Sequence, residues 1–245
     1  MKTFAIGDIH GNYKSLKQVI KESKIDKEND TLIVLGDVVD GYPDVVKVID
    51  ELLTFKNLIG ILGNHDFWCR DFLEFGTAVP QWLAQGGQNT FDDYLANSGK
   101  QEEHLNKYFK KLVPYYHDTE KNHVYTHGGF NWHLTLKQNS LGNFLWDRHM
   151  VETAQTWQAN HDFRDMELLK FPNFDTIFVG HTSTQIEYDY RYQSSTYPAF
   201  LSNLINLDTG AGWKGKLTIM DVDTTMYWQS DYAAHYYPKD HAREQ

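Results

Sequence analysis

The chain has 245 residues, 41% hydrophobic and 15% aromatic, which is enough to bury one substantial core. A formal net charge of -10, with no Lys/Arg cluster, argues against general nucleic-acid binding, because a phosphate backbone is gripped by clustered cations. Cys69 is the single cysteine, so no internal disulfide can form and it reads as a small buried hydrophobe.

In chain order, Met1-Lys2 leads into a short apolar stretch that is neither a signal peptide nor long enough to span a bilayer. The expected setting is cytoplasmic, with no membrane partner. Thr3 to Ile6 reads as a strand ended by Gly7, and Leu16, Val19 and Ile20 repeat at the i, i+3, i+4 spacing of an amphipathic helix. Thr31 to Leu35 is a continuous branched-apolar run, as a strand covered on both faces needs. Pro43 reads as a first-turn helix residue, followed by Val45, Val46, Ile49, Leu52 and Leu53 on one face. Asn57 to Leu62 is a third strand.

Residues 67–112 break this rhythm. Phe67, Trp68, Phe72, Phe75, Trp82 and Phe91 surround Gly86-Gly87, which predicts several helices packed over the sheet edge as a cap. Further strands are predicted at Val124 to Thr126, Thr176 to Val179, Leu204 to Leu207 and Leu217 to Val222, and a helix from Gly142 to Trp157. Alternating strand and helix implies an α/β fold with a mainly parallel sheet. No repeat or Pro/Gly/Ser linker divides the chain, so 1–245 is expected to be one domain, with the polar tail after Tyr237 loose.

The chemistry lies in a recurrence. Five apolar strand candidates each end in Gly or Thr and then in a residue of metal-ligand type: Gly7-Asp8-Ile9-His10, Gly36-Asp37, Gly63-Asn64-His65-Asp66, Thr126-His127-Gly128-Gly129 and Gly180-His181-Thr182. Any one of these motifs is weak, since Gly-Asp commonly just starts a turn. Ligands of open α/β sheets bind beyond the carboxyl ends of strands, however, so five such ends predict a single shared crevice. Carboxylate, amide and imidazole donors without thiolate suit Mn²⁺, Fe²⁺ or Zn²⁺, and the set exceeds what one ion needs. Two ions about 3.5–4 Å apart around one bridging carboxylate would use it fully. Two dications against Asp8 and Asp37 leave a surplus of about +2, which is how so acidic a chain could hold a phosphate.

The stretches GDIHG at 7–11, GDVVDG at 36–41, GNHD at 63–66, HGG at 127–129 and GHT at 180–182 resemble the calcineurin-like metallophosphoesterases, in particular the phosphoprotein phosphatase branch with its bacterial and phage serine/threonine phosphatases. DTGAGWKGKLTIMDVD at 208–223 looks like the terminal strand pair of that branch. The resemblance implies a four-layer α/β/β/α sandwich, two mixed sheets flanked by helices, with the 67–112 segment as a helical insertion. It implies two divalent metal ions, with Mn²⁺ expected and Fe²⁺, Zn²⁺ or Ni²⁺ accepting the same donors. Asp8, His10 and Asp37 would hold the first, and Asp37, Asn64, His127 and His181 the second. Ser183 stands where other superfamily members have a further His. By resemblance His65 is the general acid, with Asp40 or Asp66 as its acidic partner and Asp40 favoured. The branch usually has a phosphate-binding Arg where this chain has Gly41. Trp146-Asp147-Arg148 resembles its second one, so Arg148, with Asn64 and His65, is expected to bind substrate.

The implied reaction is in-line attack of a metal-bridging hydroxide on a phosphate monoester, with phosphoserine or phosphothreonine as the substrate. A second reading keeps the metals and takes diadenosine tetraphosphate, cut symmetrically. A third is a metal-binding scaffold without catalysis, which the intact Asn64, His65, His127 and His181 oppose. Tyr188, Tyr190 and Tyr192 alternate with polar residues and fit either a cleft-lining strand or an ordinary half-exposed one. Oligomeric state is not readable from the sequence.

Overall fold

Period-two alternation along the strands sets the layering. The computed structural model describes residues 1–160, 169–186 and 194–238. In β1 (Thr3–Ile6) and β2 (Thr31–Val34), Phe4, Ile6, Leu32 and Val34 face one core, while Ala5 and Ile33 face another. Such strands are buried on both sides, which is why they read as unbroken apolar runs. The first core is closed by α1 (Tyr13–Ser23) and α2 (Val45–Leu52), each burying an apolar stripe. Asn12 caps α1 by accepting from Ser15 N at 3.0 Å.

β3 (Asn57–Gly60) pairs in parallel with β2, and β1 pairs in parallel with β2 on its other side. The insertion follows as α3 (Asn64–Phe75), α4 (Pro80–Trp82), a kinked turn over 83–87, α5 (Gln88–Ala96) and α6 (Gln101–Lys107). Its Phe72, Trp82, Tyr94 and Leu105 join the α1/α2 core, whereas Phe75 stays exposed.

The second sheet begins with β4 (Tyr115–Asp118) and β5 (His123–Thr126). After α7 (Leu141–Trp146) and α8 (His149–Asn160) it is completed by β6 (Thr176–Val179), β7 (Ala199–Leu201) and β8 (Leu204–Asn206). Its order is β4-β5-β6-β8-β7, with β5, β6 and β8 parallel. β9 (Thr218–Asp221) and β10 (Tyr227–Gln229) return to the first sheet, giving β10-β9-β1-β2-β3, and α9 (Ala233–Tyr236) packs on α1. Ala5, Ile33, Leu35 and Met220 of the first sheet meet Tyr125, Phe178, Ile205 and Leu207 of the second in a core between the sheets. Helices α7 and α8 cover the outer face of the second sheet through Phe144, Met150, Val151 and Ala154. The fold is therefore the expected α/β/β/α sandwich of two mixed sheets.

Three details differ from the sequence reading. β4, β7 and β10 are not among the predicted strands; all three lie at sheet edges, β4 and β10 with partly exposed residues and no apolar run, and β7 with an apolar run of only three residues. Pro43 lies before α2 rather than in its first turn: Asp44 is the N-cap, and Val46 N is drawn to Asp93 Oδ2 of α5 at 2.8 Å. The predicted 142–157 helix is broken at Asp147, whose extended backbone (ψ 130°) ends α7 and whose carboxylate accepts from Met150 N at 3.2 Å to start α8. Of the tail expected to be loose, residues 239–245 lie outside the described set; Tyr237, which precedes it, is packed, its ring 4.8 Å from Tyr42 and its hydroxyl bonded to Asp44 Oδ2.

The Tyr125 and Phe178 rings stack in the inter-sheet core, centroids 4.8 Å apart and planes 7° from parallel. Phe178→Ala should destabilise the protein by about 3–5 kcal/mol, read from a denaturant midpoint, because neither sheet can close on the hole without moving the other.

Candidate metal centre

The parallel strands of both sheets point their carboxyl ends to one place. β1 leads to Asp8, β2 to Asp37, β3 to Asn64, β5 to His127, β6 to His181, and β8 to Asp208. The turns that follow are strained. His10 (φ 51°), Asp37 (φ 50°), Asp40 (φ 69°) and His181 (φ 63°) all sit in the left-handed region that L-residues avoid. Gly36 (φ 96°) permits the turn out of β2, and a Cβ there would lie 2.7 Å from His127 Nδ1. At Gly180 a Cβ would overlap the Asp8 carboxylate.

Hydrogen bonds tie the turns together. His181 N donates to both oxygens of Asp8 at 3.2 Å, and His65 N to Asp37 Oδ1 at 3.0 Å. Ile9 N and His10 N both reach Asp37 O at 3.0 Å. Asp66 accepts from Asp37 N (2.8 Å), Val38 N (3.0 Å) and Gly63 N (3.1 Å), so its buried carboxylate clamps the β2 and β3 turns. Asp66 thus serves the backbone, and Asp40 is the partner of His65, with Oδ2 at 2.5 Å from Nδ1.

The six expected donors are all buried and all converge. Asp8, His10 and Asp37 form one group that could hold a metal ion, and Asp37, His127 and His181 form another, with ligand atoms within 4.8 Å of one another and Asp37 common to both. Asn64 Oδ1 lies 3.0 Å from His127 Nε2. Backbone carbonyls fix the two rings: Nδ1 of His127 pairs with Leu35 O at 2.8 Å and Nδ1 of His10 with Val39 O at 3.0 Å, leaving each Nε2 directed at the carboxylates. Arg148 stands in the break between α7 and α8, its Nη1 donating to His181 O at 3.0 Å.

The electrostatics show a pocket short of positive charge. Burial, then the neighbouring Asp208 carboxylate, pushes Asp8 well above the usual carboxyl range, and burial likewise raises Asp208. Asp66 is pushed up to about 7 by burial and by Asp37. For Asp37 burial is outweighed by His127, His65 and His10, which hold it well below the ordinary value. Burial also opposes the His127 imidazolium, yet Asp37 beside it holds that pKa up at about 9. Burial keeps His181 neutral, and its Nε2 is buried without a hydrogen-bond partner. A neutral, unpartnered imidazole nitrogen among crowded carboxylates fits divalent cations.

Residues 1–185 match the sequence pattern of the calcineurin-like phosphoesterases. The chain belongs to that family. It is a metallophosphoesterase, a hydrolase of phosphate esters. Serine/threonine-protein phosphatase 2 of Escherichia coli (strain K12) is 24% identical over 221 residues, covering 89% of this chain and 92% of that one. The symmetrical bis(5'-nucleosyl)-tetraphosphatase of Buchnera aphidicola subsp. Schizaphis graminum is 31% identical over 145 residues, 58% of this chain and 50% of that protein. In fold, the metallophosphoesterase of Sphaerobacter thermophilus superposes with a TM-score of 0.59 over 96% of this chain and 90% of that one, at 20% identity.

The cavity between the donors, about 70 Å³, is also lined by Gln85, Trp146, Ser183, Ile186, Asp208 and Trp213. Asp208 follows a sixth strand tip, and Leu204-Ile205-Asn206-Leu207-Asp208-Thr209-Gly210 carries the same signal of an apolar run ending in an acid and a glycine. Gln85 comes from the insertion and had no such signal. Tyr188, Tyr190 and Tyr192 lie outside the described residues.

Asp66→Ala would leave three buried backbone N–H groups without an acceptor. It should cost at least about 3 kcal/mol in a denaturant titration of metal-free protein, whereas Asp66→Asn, which retains one oxygen, should cost less.

Proposed function

We propose that this metallophosphoesterase hydrolyses phosphate monoesters and acts as a serine/threonine protein phosphatase. One divalent ion would be held by Asp8, His10 and Asp37 and a second by Asp37, Asn64, His127 and His181. The observation that carries this reading is the pair of donor groups sharing Asp37, with the buried Nε2 of His181 otherwise unpartnered. Two ions there would supply positive charge to the attacking and the departing oxygen; Mn²⁺ is the expected metal, and Fe²⁺, Zn²⁺ or Ni²⁺ suit the same donors.

The chain's own residues supply the rest. Hydrolysis forms a new P–O bond from water and breaks the ester P–O bond, and the departing oxygen needs a proton. His65 gives it from Nε2, because Nδ1 is engaged by Asp40. Arg148, fixed on His181 O and lining the cavity, is placed to bind phosphoryl oxygens together with Asn64 and His65. Gly41, where the resembled branch has Arg, makes Arg148 the principal cationic side chain of this reading.

A second reading, symmetrical cleavage of a dinucleoside tetraphosphate, is favoured by the 31% identity to a tetraphosphatase. The near-full-length match to a protein phosphatase favours the first. Rates on a phosphothreonine peptide and on diadenosine tetraphosphate at matched Mn²⁺ separate them: faster turnover of the peptide is expected, and the reverse would transfer the proposal to the nucleotide.

Chelation should abolish hydrolysis and Mn²⁺ restore it. His181→Ala should weaken Mn²⁺ binding by at least about tenfold, measured calorimetrically. His65→Ala should lower kcat about 10²–10⁴-fold while metal content is retained, and unchanged turnover would remove His65 from the mechanism.

A further inference from the structure

The helical insertion grips one turn of the site. Asp40 is fully buried, and each part of it is engaged. Its Oδ2 accepts from Trp82 Nε1 at 2.8 Å beside the 2.5 Å contact with His65 Nδ1. Its Oδ1 accepts from Thr90 Oγ1 at 2.7 Å, and its own N–H returns to the same hydroxyl at 2.8 Å. The next residue is held from the same segment: Gly41 N donates to Gly86 O at 3.1 Å, and Asn89 Nδ2 donates to Gly41 O at 2.5 Å. Five hydrogen bonds thus join residues 82–90 to residues 40–41.

We propose that Trp82 and Thr90 are positioning residues for the phosphate-ester reaction, acting through Asp40 to keep the His65 imidazole aimed at the departing oxygen. This rests on the reading of His65 as the proton donor. Packing alone would be served by apolar side chains. Instead two separate donors from the insertion converge on the carboxylate whose remaining partner is His65. With both oxygens and the backbone N–H engaged, the Asp40 carboxylate has one orientation, and the His65 ring that it holds has one as well. Asp40 needs that support, because its backbone lies at φ 69°. The indole is itself immobilised: Phe72 packs 5.4 Å from it, and a Cβ at Gly87 would lie 2.5 Å from Nε1, so only glycine fits over the donor.

A positioning role for the proton donor has a signature that a packing role lacks. Protonation matters most when the departing oxygen is strongly basic and least when it is a stable anion. Kinetics of the Mn²⁺-loaded enzyme on phenyl phosphate and on 2,4-dinitrophenyl phosphate therefore test it, using Trp82→Phe, Thr90→Val and the conservative Thr90→Ser, with His65→Ala as reference. We expect Trp82→Phe and Thr90→Val each to lower kcat on phenyl phosphate about tenfold, with KM and the dinitrophenyl rate nearly unchanged and Thr90→Ser close to wild type. Equal losses on both esters, or no loss on either, would overturn the proposal. If His65→Ala shows the selective loss and the insertion variants do not, the inference alone falls. If His65→Ala itself spares the phenyl ester, the proton-donor reading falls and takes this one with it.

Discussion

Burying carboxylates together is the constraint around which this molecule is built. Asp8, Asp37, Asp40, Asp66 and Asp208 are all buried at one end of the two sheets, where an unanswered charge is costly. Three are answered within the chain. Asp66 takes three backbone N–H groups, Asp40 takes Trp82, Thr90 and His65, and Asp37 is surrounded by His10, His65 and His127. Asp8 and Asp208 have fewer donors from the protein, and burial drives both carboxyls upward, as it also drives Asp66 despite its three donors. The deficit lies beside the imidazole nitrogens of His10, His127 and His181, so the same crowding that strains the acids defines where cations belong.

Such a cluster persists only on a stiff support. Four residues of the site hold left-handed backbone, which costs on the order of 1–2 kcal/mol apiece for non-glycine residues. The two sheets supply the stiffness. Their facing side chains meet in a buried core, and the parallel strands deliver the residues at their tips to within hydrogen-bonding reach of a neighbour's turn. The clamp by Asp66 is the clearest case, because one side chain on α3 fixes the backbone of the turn that carries Asp37.

Much of this was legible in the sequence, for a definite reason. Strands buried on both faces must be continuous apolar runs, and strand tips that carry function must combine a turn-permitting residue with a polar one, so Asp8, Asp37, Asn64, His127 and His181 stood out by local pattern. The same rule applies to Asp208, whose Asp-Thr-Gly also opens the stretch that resembles the terminal strand pair. What local pattern cannot show is pairing at a distance. Trp82 and Thr90 lie 42 and 50 residues from Asp40, and nothing near them in sequence marks them as its partners. Edge strands β4 and β10 carry a diluted apolar signal because they are partly exposed, β7 is only three residues long, and the break at Asp147 lies between two segments that each suit a helix.

The acidity of the chain and its chemistry on phosphate esters are two aspects of one arrangement. A net charge of -10 repels an anion at long range, but screening limits that repulsion to about 8–10 Å at physiological salt. Inside the cavity the balance is local. On the proposed reading, two dications exceed the charge of Asp8 and Asp37, Arg148 adds one more cation at the wall, and Asp40 and Asp66 are occupied by donors from the protein. Gly41 stands where the resembled branch has an Arg, and the insertion closes on this turn through Gly86 and Asn89, while the neutral Gln85 of the same segment reaches the cavity lining. On that reading the positive charge available to a phosphoryl group would be concentrated on the metal side and on Arg148. The surrounding structure holds the Asp40 carboxylate against His65 through Trp82 and Thr90, and holds Arg148 through the carbonyl of His181.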